Sequence, residues 1–216
     1  MDSLTKNNLT KLSFKVLKYL IILCLIIIIY STITTKNDKI KIILYLEIFI
    51  CTISSIIYTI LNNKINETEN NNFNEFSKKR YYGWVFTTPA MLIVLCLVLA
   101  NNININIDCL TIGIIILLDM IMLYFGYEGE NNNIGRVDAC ILGFIPFIIM
   151  FLIIFIKYVI PKYNAFNIFL FLAYLLLWTG YGLAFILDEN YKNIIMNVLD
   201  LTAKGFIGVI ICYYYS

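Results

Sequence analysis

The chain has 216 residues, 61% of them hydrophobic and only 14% charged, with a mean hydropathy of +0.82. Soluble domains carry about 25% charged residues, so the composition excludes an ordinary soluble domain and indicates an integral membrane protein. A net charge of +2 argues against a nucleic-acid partner; the absence of histidine, with six cysteines scattered through apolar runs, argues against a zinc or haem centre.

A helical crossing needs roughly 20 apolar residues. On that measure the chain predicts an all-α membrane protein, a seven-transmembrane helix bundle that uses residues 1–216 as one domain. The first span, 12–34, is too long for a signal peptide, and no small-residue cleavage site follows it. The second, 40–62, carries Glu47. A polar connector, 62–79, precedes the third span, 80–100, which opens on the polar and aromatic run RYYGWVFTTP (Arg80 to Pro89). The fourth, 105–126, holds Asp119; the fifth is 134–157 and the sixth 164–187. The seventh, 191–213, contains NVLDLTAKGFIG, with Asp200 and Lys204. Asn-rich pieces mark the third-to-fourth and fourth-to-fifth turns.

An odd number of spans sets the termini on opposite sides. Lys6, Lys11, Lys15 and Lys18 pull the N-terminus toward the cytoplasm, whereas Lys36, Lys39, Lys41, Lys157 and Lys162 pull two loops there. The sequons Asn8-Leu9-Thr10 and Asn66-Glu67-Thr68 share a side and fit the second choice: N-terminus extracellular, C-terminus cytoplasmic.

Ionisable residues inside a membrane are costly and point to function. Asp200 and Lys204, at i and i+4, share a helix face. That spacing suits a structural ion pair, or a lysine Schiff base with a carboxylate counter-ion that keeps it protonated. Glu47 is open to three readings: a cation-site carboxylate, a protonated gate or a snorkelling surface residue. Snorkelling also offers an account of Arg80 and Asp138, nearer the span ends.

Three motifs, in order, resemble the microbial (type 1) rhodopsins. LDLTAK (199–204) is similar to the D-x-x-x-K signature of their last helix. Arg80, Tyr81, Trp84, Thr87, Thr88 and Pro89 match R-Y-x-x-W-x-x-T-T-P of their third. WTGYGLAF, with Trp178, Tyr181 and Phe185, resembles the W-x-x-Y motif of their sixth. The resemblance implies an all-trans retinal held as a protonated Schiff base on Lys204, with Asp200 as counter-ion. It places Trp84 and Trp178 on the two faces of the polyene, Tyr181 and Phe185 flanking it, and Met91 and Met122 filling against it. Thr87 and Ala203 are expected in the same pocket. Cys140, Gly143 and Phe147 fall where the family packs the retinal ring, and Cys140 stands where an aromatic is common. Thr88 is expected to bond Asp119.

Two departures bear on function. The family's proton pumps carry carboxylates at the positions of Gly83 and Val94 in this chain, so a pump relay lacks two stations. Gly83 is expected to leave a void the size of a carboxylate beside Arg80, open to water. With Asp200 kept, the pattern is similar to anion-conducting channelrhodopsins. The leading reading is a light-gated ion channel, anions favoured over cations, with Arg80, Gly83 and Glu47 on the ion pathway. The alternatives are a light sensor signalling through a membrane partner, a light-driven pump with a non-standard relay, and a receptor or transporter that only resembles a rhodopsin. The resemblance further implies no enzyme activity, membrane lipid and transported ions as partners, and a homo-oligomer.

Overall fold

The chain is known from a computed structural model that describes residues 3–67 and 73–216; Thr68 of the second sequon lies outside the described residues. The helices are α1 (Ser3–Thr34), α2 (Asp38–Glu67), α3 (Phe73–Ile103), α4 (Cys109–Glu130), α5 (Arg136–Ile154), α6 (Ala165–Phe185), α7 (Glu189–Asp200) and α8 (Ile207–Tyr215). α5 continues through a wide π-helical turn, Phe155–Val159. A second wide turn, Leu201–Phe206, joins α7 to α8 in one rod, the seventh span. Among the described residues seven rods are long and apolar enough to cross a membrane.

The rods outrun the predicted spans where polar residues stay helical. α2 and α3 run into the expected 62–79 connector, because helices project beyond the bilayer and hydropathy is blind to that. The fourth rod starts four residues later than predicted. α3 ends on Asn104 at φ 58°, and the amide of Ile105 bonds the Ala100 carbonyl at 3.0 Å, a left-handed cap that asparagine tolerates. Asp108 then caps α4 by accepting from the amides of Leu110 and Thr111. Its carboxyl is held below the usual range first by the Thr111 hydroxyl and then by these amides, so the charged cap is lost only as pH falls through that lowered value. Asn132, at φ 60°, closes α4 in the same way, with the amide of Asn133 on the Glu128 carbonyl.

α3 is the central helix, packed between α2 and α4, while α1 and α4 show lipid the most surface. The seventh span lies against α1, α2, α3 and α6. Gly205 and Gly208 bring it close: a Cβ on Gly205 would stand 3.0 Å from Cys24 Sγ, and one on Gly208 2.8 Å from Glu47 Oε2. This close seam sets the site.

Candidate functional site

Lys204 sits in the wide turn just after Asp200, and both side chains are buried. Lys204 Nζ lies 2.5 Å from Asp200 Oδ1. The carboxylate is further held by Tyr181, whose hydroxyl donates to Oδ1 at 2.8 Å, by Arg80 Nη1 at 3.2 Å from Oδ2, and by the Tyr58 hydroxyl on Oδ2. A charge taken out of water needs this density of partners. The carbonyl of Lys204 accepts from Cys51 Sγ of α2 at 3.3 Å.

Arg80 does not snorkel: it is 1% exposed. Its Nη2 donates to Asn197 Oδ1 at 2.5 Å and Asn193 Oδ1 at 3.2 Å, and the rings of Phe14 and Tyr58 lie 4.8 and 5.4 Å from the guanidinium carbon. Asn197 Nδ2 donates to Ser13, Asn193 Nδ2 to Ser77, and the Ser77 hydroxyl to Glu189. Nearer the mouth, Lys192 is fully buried, 2.8 Å from both Glu130 Oε2 and Glu189 Oε1, and Arg136 closes onto Glu189. Sequence reasoning missed Tyr58, Asn193, Asn197, Glu130 and Lys192. A signal existed for two of them: Asn193, Asn197, Asp200 and Lys204 fall at spacings of 4, 3 and 4, a single helix face.

A cavity of about 110 Å³ opens beside Lys204, far more than a single water needs. Trp84, Thr88 and Met91 line it from α3, Met122 from α4, and Cys140, Gly143 and Phe147 from α5. Trp178, Tyr181 and Phe185 line it from α6, and Asp200 and Lys204 from the seventh span. Tyr81, matched in the third-helix motif, also borders it, as do Leu123, Gly126, Ala139, Phe144, Gly182 and Met196, which were not singled out from the sequence. Thr87, Asp119 and Ala203 do not border it. Asp119 is fully buried behind Thr88, whose hydroxyl bonds its Oδ2 at 2.7 Å. Retinal, the group implied by the sequence motifs, fits this cavity: an apolar slot walled by flat rings, with a buried amine and its carboxylate on one wall.

A second, smaller space of about 10 Å³, the threshold for one water, touches Gly83, Ser54, Tyr58, Arg80, Thr87 and Lys204. The expected carboxylate-sized void is therefore absent. Ile57 of α2 fills it, with Cγ1 3.2 Å from where a Cβ on Gly83 would stand. Glu47 is not a snorkelling residue either: it is 1% exposed and faces Gly208, one helical turn past Lys204. Asp138 is exposed in the first turn of α5.

A family model described as bacteriorhodopsin-like protein matches residues 8–216. No curated protein matches the chain. A crystal structure of the viral rhodopsin OLPVRII is similar at 30% identity, over 96% of this chain and 97% of that one, with a TM-score of 0.88. Acetabularia rhodopsin I (22% identity, 96% and 94% covered, TM-score 0.78) and halorhodopsin, a light-driven chloride pump (16%, 95% and 94%, TM-score 0.76), share the fold.

Proposed function

The chain belongs to the bacteriorhodopsin-like family, and from that premise we propose that it is a light-gated ion channel, with anions favoured over cations. Its cofactor is retinal, as in the family. Attachment to Lys204, with Asp200 as counter-ion, is the reading that the 2.5 Å contact and the adjoining cavity support. When bound there, retinal supplies absorption of visible light and a change of shape at the lysine.

One observation carries the channel reading. A file of buried polar side chains follows the seam between α1, α2, α3 and the seventh span. From the half-buried Glu189 at the mouth it runs through Ser77, Asn193, Asn197 and Arg80 to Asp200 and Lys204, and a further buried carboxylate, Glu47, lies one turn beyond. Buried polar groups in lipid mark ion pathways. Val94 is fully buried among apolar residues, and Gly83 abuts Ile57, so neither holds a proton station. Arg80 is a buried cation in the file, held by Asp200 and Asn197. A guanidinium there, with no carboxylate at residue 83, favours anions. In this reading the N-terminus lies outside the cell, because Lys36, Lys39, Lys41, Lys157 and Lys162 then fall on the cytoplasmic side.

Patch-clamp recording under illumination tests this, with chloride and sodium varied separately. The expected result is a passive current whose reversal potential moves by up to about 59 mV per tenfold change in chloride. A second reading, a pump, draws on the same 2.5 Å contact, since Asp200 is placed to take a proton from the lysine nitrogen. A current of constant direction at zero gradient would establish the pump and exclude the channel.

A further inference from the structure

Across the bundle from Lys204, the large cavity ends among small residues: Gly126 on α4, Ala139 and Cys140 on α5, and Gly182 on α6. α4 and α5 pack on each other rather than on the seventh span, which lies against α1, α2, α3 and α6, so this end is the one away from the lysine. Tyr81 reaches into it from α3. Its hydroxyl oxygen lies 2.5 Å from where a Cβ on Gly126 would stand, so only glycine leaves it that place. The side chain is 7% exposed and lines the cavity. Its ring touches those of Trp84 and Tyr127, yet its hydroxyl makes no hydrogen bond among the described residues. Phe185, which shares this end, is a hydrocarbon and offers no partner. The Cys140 thiol is already committed, donating to the Gly182 carbonyl at 3.5 Å. A buried phenol facing an apolar cavity with no partner is costly, and such groups ordinarily meet a polar atom.

We propose that this end of the cavity receives an oxygen on the retinal ring, and that the protein takes a ring-oxygenated retinal, bearing a hydroxyl or keto group, in preference to the plain hydrocarbon ring. The Tyr81 hydroxyl is the recognising group. A phenol both donates and accepts, so it pairs with either kind of oxygen. The inference rests on the retinal-binding reading and names the class of chromophore for that same cavity.

The test is a competition. Apoprotein is given an equal mixture of all-trans retinal and all-trans 3-hydroxyretinal, and in a second trial retinal and 4-ketoretinal; the bound chromophore is extracted and counted. A net gain of one buried hydrogen bond predicts about fivefold enrichment of an oxygenated form. Tyr81→Phe should return the bound ratio to the supplied one while still binding plain retinal. Equal binding in both wild-type trials overturns the proposal, as does enrichment that survives in Tyr81→Phe. If that variant does not fold, the infrared carbonyl stretch of bound 4-ketoretinal decides: a lowered frequency supports the pairing and an unshifted one overturns it. Failure of every retinal to colour the protein would instead sink the retinal-binding reading, an outcome distinct from equal binding.

Discussion

Lys204 and Asp200 meet because four residues in a helix return the chain to the same face, and that much is written in the sequence. What surrounds them is not. Tyr58 lies in SSIIYTIL, where nothing separates it from an interface tyrosine, and only the approach of α2 to the seventh span brings its hydroxyl to Asp200. Ile57 was illegible for the same reason: a glycine signals space, but the helix across the gap decides whether that space is filled. Two outcomes belong at this scale. Lys204→Ala protein should stay colourless when all-trans retinal is added, read by visible absorbance. Asp200→Asn should shift the absorbance of the pigment to the red, since the lost negative charge stabilises the ground-state cation at the lysine more than the excited state, whose charge has moved along the polyene.

The helices themselves were legible from hydropathy, their ends less so. Ile105 and Ile107 read as the start of a span, yet the turn between α3 and α4 is made there by the left-handed Asn104 and the capping Asp108. Asn104→Ala should cost about 1 kcal/mol and Asn104→Gly nothing or less, because only the β-carbon without a compensating amide resists that backbone. The glycines of the seventh span answer to contact instead of conformation. Gly208→Ala would drive a methyl into Glu47 Oε2 and Ile28 Cδ1, at 2.8 and 2.9 Å. The rods must part or Glu47 must turn, and a loss of about 1–3 kcal/mol is expected from thermal unfolding in detergent.

For the whole molecule, the bundle is closed at its N-terminal mouth by charge and at the other by amides. Glu130 and Lys192 stand at span edges, where charged residues read as interfacial; the tertiary fold buries both completely. Lys192→Ala, which leaves Glu130 buried with its nearest cation gone, should destabilise the protein by about 3–5 kcal/mol, and Glu130→Gln with Lys192→Met should recover most of it. At the opposite mouth, Asn102 donates to Asn167, Asn167 to the Leu99 carbonyl, and the Tyr215 hydroxyl to Asn102. On the proposed channel reading, an ion would have to part both closures.

The thiol of Cys51 on the carbonyl of Lys204 gives the wide turn a mechanical meaning. If retinal is attached at Lys204 as proposed, the residue that would receive the push is pinned sideways to a neighbouring rod, and load would leave the seventh span at the point where it enters. Replacing that pin with valine should leave the colour in place and slow the transfer of strain to α2, as a hinge with its bolt withdrawn swings without moving the door.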